Sequence, residues 1–274
     1  MSTPPTLAAR GGEAKRSYVR RMFTAIAPRY DLLNHVLSLN IDRRWRRRAV
    51  DRLEWQRTPA GIYLDLCAGT LDLAAELAHR AEFRGLVVGA DFVLPMLQRG
   101  RGKAARMAPV GADALELPFP DATFHGCTVG FGIRNLADLE AGLREIARVL
   151  EAGARLVVLE FTTPRRWPIR PLYLFYFRRI LPRIGRWVSK HRDAYEYLPE
   201  SVMAFPETED FGRLMAEAGF AEVRWEEVTF GVATVYVGQK RAGAGRSGQE
   251  RAAGSALLPS SASSARPGGG AERG

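Results

Sequence analysis

Three aspartates at the ends of hydrophobic runs are the residues best suited to hold a ligand. Asp65 opens the run Asp65-Leu66-Cys67-Ala68-Gly69-Thr70-Leu71-Asp72, where a β-rich stretch gives way to small residues and then to a helical pattern. Small side chains at Cys67, Ala68 and Gly69 let the backbone approach a ligand closely, and Asp72 suits the positive end of the following helix. Asp91 follows Gly69 by 22 residues, at the end of a second strand, where an acid can accept both hydroxyls of a ribose. Asp113 ends a third unit, where a short acid can reach the exocyclic amine of an adenine while the amide of Ala114 meets a ring nitrogen. This is the pattern of a nucleoside site. Asp91 alone fits a dinucleotide as well as a methyl donor, and Asp113 before Leu115 also reads as an ordinary turn residue.

The elements that must position these acids alternate in period. Residues 62–66, 86–90, 127–131 and 156–161 read as strands with helical patterns between them, which predicts a parallel sheet with helices on both faces and its ligand beyond the carboxyl ends of the strands. A helix over 208–218 then leads through Gly219 into strands over 222–229 and 233–239. Only Phe230, Gly231 and Val232 separate them, so they must pair antiparallel, because a parallel return needs a long crossover. Residues up to about 57 read as helices capping the open end of the sheet. The last 34 residues contain 22 Gly, Ala or Ser and no sustained apolar period, which predicts a disordered tail over 241–274.

Longer motifs add a family resemblance. Met22-Phe23, Ile26-Ala27, Tyr30-Asp31, Asn34 and Trp45, then Leu117-Pro118-Phe119-Pro120-Asp121 and Phe131-Gly132-Ile133-Arg134-Asn135, resemble the menaquinone/ubiquinone biosynthesis methyltransferases. Leu159-Glu160-Phe161, Tyr195-Glu196-Tyr197-Leu198, Phe205-Pro206 and Ala218-Gly219-Phe220 extend the resemblance from about residue 19 to 240. It implies a Rossmann-like, seven-stranded methyltransferase sheet, mostly parallel with a C-terminal antiparallel hairpin. It also implies S-adenosylmethionine-dependent C-methylation of a polyprenylated quinol, demethylmenaquinol to menaquinol, with the benzoquinol precursor of ubiquinone as the alternative acceptor. By the family's motif positions Thr70, Asp91, Asp113, Ala114 and Gly130 surround the donor, with Asp65 and Gly69 in the same turn. Arg134 is the expected stabiliser of the quinol oxyanion with Asn135 orienting it, and Tyr30, Asp31, Asn34, Tyr195 and Tyr197 complete the acceptor pocket. This chain departs from the usual motif at Leu71, where members place a glycine, at Gly130, where many place a serine, and at Val235-Tyr236, where they often place a histidine. A leucine at 71 is expected to open its helix with ordinary backbone or to displace the donor. A non-catalytic quinol- or membrane-binding protein is the alternative of another class.

Composition narrows the partners. The formal net charge of +10 points to an anionic partner, and residues 165–192 carry nine Lys or Arg, no acid, and many interspersed aromatics. That mixture fits an anionic membrane surface as well as a lid over a substrate pocket. The expected organisation is a flexible start over 1–18, one domain over 19–240 with a basic aromatic lid at 164–206, and the tail. Without a run of ~18 apolar residues or a secretory signal, the protein is expected in the cytoplasm with peripheral contact on the inner face of the membrane. A homodimer or a quinone-biosynthesis assembly is compatible with the sequence. Four scattered histidines and two lone cysteines predict no metal. Nucleic acid is disfavoured because no Asp/Asn-Pro-Pro-Tyr/Phe run is present to grip a flipped base. A dehydrogenase is disfavoured because the G-x-G-x-x-G run is incomplete.

Overall fold

Leu64 and Leu66 point to one side of their strand and Tyr63 to the other, so both faces of the sheet are apolar and both must be covered. In the computed structural model, which describes residues 11–31, 38, 40–180 and 192–242, seven strands do this. They are β1 (Ile62–Leu66), β2 (Leu86–Asp91), β3 (Met107–Gly111), β4 (Phe124–Gly130), β5 (Leu150–Phe161), β6 (Phe220–Val228) and β7 (Ala233–Lys240), in the spatial order β3-β2-β1-β4-β5-β7-β6. Strands β1 to β5 pair in parallel. Strand β7 inserts antiparallel between β5 and β6, with Val157 opposite Val237, so the expected hairpin is present.

The described helices are α1 (Gly12–Ile26), α2 (Ile41–Arg52), α3 (Asp72–Ala78), α4 (Leu94–Gly100), α5 (Leu139–Val149), α6 (Ile169–Phe175), α7 (Arg192–Ala204) and α8 (Thr208–Glu217). Leu143 and Ile146 of α5 and Phe211 and Met215 of α8 cover the face of Leu64, Val129, Leu156 and Tyr236. Trp45 and Val50 of α2 and Leu73 and Leu77 of α3 cover the face of Tyr63, Val87, Val157 and Val235. Each such fully buried apolar side chain stabilises the fold by roughly 1.5–3 kcal/mol before entropy. Tyr236, at the position where a histidine is common, is fully buried with its ring 4.7 Å from Phe211.

Local chemistry sets the ends of these elements. Asp138 accepts a hydrogen bond from the Ala141 amide at 2.9 Å and caps α5. Gly219, at φ 105°, lets the chain leave α8 for β6. Strand β3 had no clear signal, because Pro109 interrupts its pattern; it survives as the edge strand, where a missing amide is tolerated. Helix α1 begins at Gly12, earlier than the expected boundary at Val19, because Lys15, Val19, Met22 and Ile26 form a buried stripe. Residues 12–18 therefore belong to the domain. Residues 1–241 form one unit and 242–274 another; from residue 243 the expected tail lies outside the described residues.

Candidate active site

The strand order reverses at β1, which has β2 on one side and β4 on the other. The connections leaving the carboxyl ends of β1 and β4 therefore turn to opposite faces of the sheet and open a crevice. A cavity of about 720 Å³, counting its mouth, occupies it and is lined by Gly69, Asp91, Asp113, Ala114, Gly130 and Asn135, with Arg16, Val19 and Phe23 of α1 as its roof. A second cavity of about 340 Å³ adjoins it and is lined by Arg46, Asp65, Thr70, Asp72 and Leu73. Tyr30, Cys67, Gly69, Gly130 and Phe131 line both.

The acids sit where the sequence placed them, each held by the backbone of the turns it organises. Asp65 is buried; it accepts from the Ala74 amide at 3.0 Å and the Thr128 hydroxyl at 2.9 Å, tying β1 to α3 and β4. Burial pushes its carboxyl up to about 7, against the pull of those two bonds. Asp91 accepts from the Gly69 amide at 2.9 Å and the Val93 amide at 2.8 Å, and burial pushes it up to about 6. Asp113 accepts from the Leu115 amide at 3.0 Å, the turn bond expected of an aspartate there, and also faces the cavity. Both roles anticipated for it are thus geometrically compatible.

Leu71 corrects an expectation. It caps α3 in the left-handed conformation, φ 64° and ψ 28°, rather than opening the helix with ordinary backbone. Its side chain is fully buried and lines neither cavity. Two glycines receive it: a Cβ on Gly89 would lie 2.2 Å from Leu71 Cδ2, and one on Gly100 2.7 Å from its Cγ. The leucine keeps the turn by turning its bulk away from both cavities into the core. Replacing it should show the two costs separately. Leu71→Ala loses buried volume worth about 2–5 kcal/mol. Leu71→Gly loses one carbon more yet recovers the left-handed strain of about 1–2 kcal/mol, so in urea titrations it should be no less stable than the alanine variant. A glycine variant clearly weaker than alanine would show that the backbone here is relaxed.

Of the expected acceptor residues Tyr30 lines the larger cavity, as does Asn135, expected to orient Arg134, and Tyr197 donates its hydroxyl to Asn135 Oδ1 at 3.1 Å. Asp31 instead joins the turn before α3, accepting from the Thr70 hydroxyl at 2.5 Å and pairing with Lys103 at 2.9 Å. Lys103 also pairs with Asp72, and Arg46 with Asp72 and Asp42. Neither cation was singled out from the sequence, since each needs the fold to bring it to the turn. Asn34 lies outside the described residues, as does the side chain of Tyr195 on α7. Arg134, expected at the quinol oxygen, lines neither cavity. Its Nη1 donates to Glu160 Oε1 and to the Phe131 carbonyl, both at 2.5 Å, and its Nε to Ser201 at 3.3 Å, so the guanidinium anchors the loop that carries Asn135. The partner, Glu160, stands inside a recognised motif but carried no expected role.

Gly130 explains its own departure from serine: a Cβ there would lie 2.4 Å from Leu73 Cδ1. The residues present fit a bulky nucleoside donor, because Gly69 at φ 52°, Ala114 and Gly130 leave room beside two carboxylates.

Comparison with known proteins identifies the family and the fold. The demethylmenaquinone methyltransferase of Thermus thermophilus is 53% identical over 223 residues, 80% of this chain and 100% of that protein. The ubiquinone/menaquinone biosynthesis C-methyltransferase UbiE of Geobacter sulfurreducens is 45% identical over 232 residues, 82% and 90% of the two chains. A solved SAM-dependent methyltransferase of Thermotoga maritima, described as a possible histamine N-methyltransferase, superposes with a TM-score of 0.57 at 19% identity over 81% of this chain and 99% of that one, which speaks for the fold alone. The profile of one family matches residues 12–240, nearly all of the described chain. The chain belongs to the ubiE/COQ5 methyltransferase family.

Proposed function

We propose that this S-adenosylmethionine-dependent methyltransferase methylates a ring carbon of a polyprenylated quinol, with demethylmenaquinol as the acceptor. One observation carries the reading: a single cavity is lined by Asp91 and Asp113, acids suited to a nucleoside, and by Asn135, an amide suited to a phenolic oxygen, so the two ligands would share it. The names of the relatives in Thermus and Geobacter support the quinone acceptor. S-adenosylmethionine, when bound, supplies an electrophilic methyl group on a sulfonium. The work left to the chain is to align the acceptor, exclude water and make the ring carbon nucleophilic. Asp91 suits the ribose hydroxyls and Asp113 the adenine amine, while Thr70 and Asp65 border the space for the amino-acid end. Phe23, Tyr30 and Phe131 wall the cavity against water. Because the Tyr197 hydroxyl occupies Asn135 Oδ1, the amide nitrogen of Asn135 is the end left to donate to a quinol oxygen and favour its phenolate form. Arg134 serves this step by fixing the loop.

Turnover with methyl-labelled donor and reduced demethylmenaquinol, run beside the benzoquinol analogue, tests the assignment. Label on the naphthoquinol ring, formed faster than on the benzoquinol, is the expected result. Calorimetric donor binding with neither quinol methylated would sink the acceptor assignment.

Peripheral membrane contact forms part of the same proposal. Among the described residues no helix is long and apolar enough to cross a membrane. Trp167, Leu172 and Phe175 nevertheless stand 85%, 70% and 57% exposed among the exposed Arg166, Arg170 and Arg179. Phe230, 70% exposed at φ 58°, tips the β6–β7 turn, whose Gly231 abuts Pro164 at the start of this segment. Arg165 is committed to Glu207 and Glu209 and adds little. Residues 181–191 lie outside the described residues. Co-sedimentation with liposomes should rise with phosphatidylglycerol content and fall between 50 and 500 mM salt, roughly in step with the screening of surface charge. Binding indifferent to both variables would remove the membrane from the proposal.

A further inference from the structure

Helix α1 places a charged residue directly on the acid assigned to the adenine. Arg16 Nη2 lies 2.5 Å from Asp113 Oδ2, while its Nη1 reaches Glu13 Oε2 at 3.1 Å, so the guanidinium is held from its own helix as well as from the loop below. Both Arg16 and Asp113 line the larger cavity. The helix is tied down on either side of this contact. The Lys15 ammonium, buried, donates to the Arg134 carbonyl at 2.9 Å, and the Gly12 amide to the Ala137 carbonyl at 3.1 Å. Arg16 therefore hangs over the Asp113–Leu115 turn at a fixed height.

Asp113 is then constrained through both oxygens. Its Oδ1 takes the Leu115 amide at 3.0 Å and its Oδ2 takes Arg16. A carboxylate offers about four acceptor positions, so two engaged positions leave acceptor capacity for a ligand and no donor. A ligand edge that brings an amine to Asp113 is accepted, and one that brings a carbonyl oxygen meets like partial charge. We infer that Arg16 is a positioning residue for donor selection: it aims Asp113 so that the site takes a 6-amino purine and rejects a 6-oxo purine. The inference rests on the reading that Asp113 faces the base of the donor. Arg16 itself cannot readily turn to serve the 6-oxo group, because Glu13 and Asp113 hold it from two sides.

The probes are S-adenosylhomocysteine and S-inosylhomocysteine, which exchange the 6-amine for a carbonyl and turn N1 from an acceptor into an N–H donor, with binding to the full chain measured by calorimetry. The unaltered protein should prefer the adenosyl ligand by about 100-fold, the scale of discrimination by a placed hydrogen-bonding group. Asp113→Asn should bring the ratio down to a few-fold, since an amide can turn either end to the ligand, the remainder being the preference of the Ala114 amide for an unprotonated ring nitrogen. Arg16→Ala and Arg16→Gln should lower it to about tenfold. Arg16→Lys should restore part of it, and Arg20→Ala, on the exposed face of the same helix, should leave it unchanged. In turnover Arg16→Gln should raise the donor KM with kcat and the quinol KM held within about twofold, a split that loss of fold does not produce. If Asp113→Asn leaves the ratio intact, the assignment of Asp113 to the base fails and the inference with it. If Asp113→Asn lowers the ratio to a few-fold while both Arg16 variants keep it, the assignment stands and the role of Arg16 is overturned. Tighter binding of both ligands to Arg16→Ala would equally overturn it, by showing that Arg16 competes for Asp113.

Discussion

Arg134→Ala is expected to destabilise the protein by about 3–5 kcal/mol and to lower turnover by about 100-fold. The side chains of Arg134 and Glu160 are 6% and 0% exposed, so deleting the cation strands a carboxylate that water cannot reach. Burial already pushes the Glu160 carboxyl up, and Arg134 is what opposes that push. Without it Glu160 takes up a proton, and the Phe131 carbonyl and the Ser201 hydroxyl lose a donor. Turnover falls because the loop bearing Phe131 and Asn135 lines the cavity, and a displacement of about 1 Å there costs about 100-fold. Urea unfolding and separate kcat and KM values check both halves. Glu160→Gln should lose less than Arg134→Ala, because it keeps the buried volume and its amide oxygen still accepts from the guanidinium. Arg134→Lys provides the decisive contrast. If it keeps stability yet loses turnover while donor binding is intact, Arg134 meets the quinol oxygen itself, as the sequence alone suggested.

Asp65→Asn should stabilise the protein, and more so at pH 8 than at pH 5. Burial raises the folded-state pKa of Asp65 to about 7, above the unfolded carboxylate value, so the folded chain prefers the protonated acid. The stability this contributes is complete below the unfolded value and is lost as pH rises through about 7. Asparagine removes the loss. It can still accept from the Ala74 amide, and its nitrogen can donate to the Thr128 oxygen, which merely reverses one bond. The gain at pH 8 should exceed that at pH 5 by about 2–3 kcal/mol, from 1.4 kcal/mol for each tenfold change in proton affinity. Thermal or urea unfolding at the two pH values measures it. A gain that is flat with pH would show that Asp65 ionises normally despite its burial. Donor binding should move the other way, since the carboxylate borders the cavity assigned to a cationic ligand.

The sheet was legible because its strands are buried on both faces and therefore read as short apolar runs closed by Gly or Asp. Strand β3 was not, since an edge strand needs less of that pattern and Pro109 breaks it. The site acids were legible from position: Asp65 and Asp91 end strands that neighbour each other, and a carboxylate at such an end has backbone amides to receive. Arg134 shows the limit. A sequence gives the charge and the loop but not the buried Glu160 that claims the charge, because the two lie 26 residues apart and meet only when β4 and β5 pair. Arg16, Arg46 and Lys103 were missed for the same reason, each being one cation among forty until α1, α2 and the turn after α4 are packed.

The contacts of Leu71 with Gly89 and Gly100, and of Leu73 with Gly130, have a consequence for how this sequence can change. Serine at 130 places its Cβ against the end of the Leu73 side chain, so that substitution requires Leu73 to turn aside and is easier once position 73 has become smaller. Alanine at 89 likewise needs Leu71 to shift or to shrink, whereas at 100 the Thr70 backbone, 2.5 Å from the added Cβ, bars it whatever stands at 71. The same single substitution is thus damaging in one background and tolerated in another. The order in which these residues are exchanged decides which neighbouring sequences can be reached through folded intermediates.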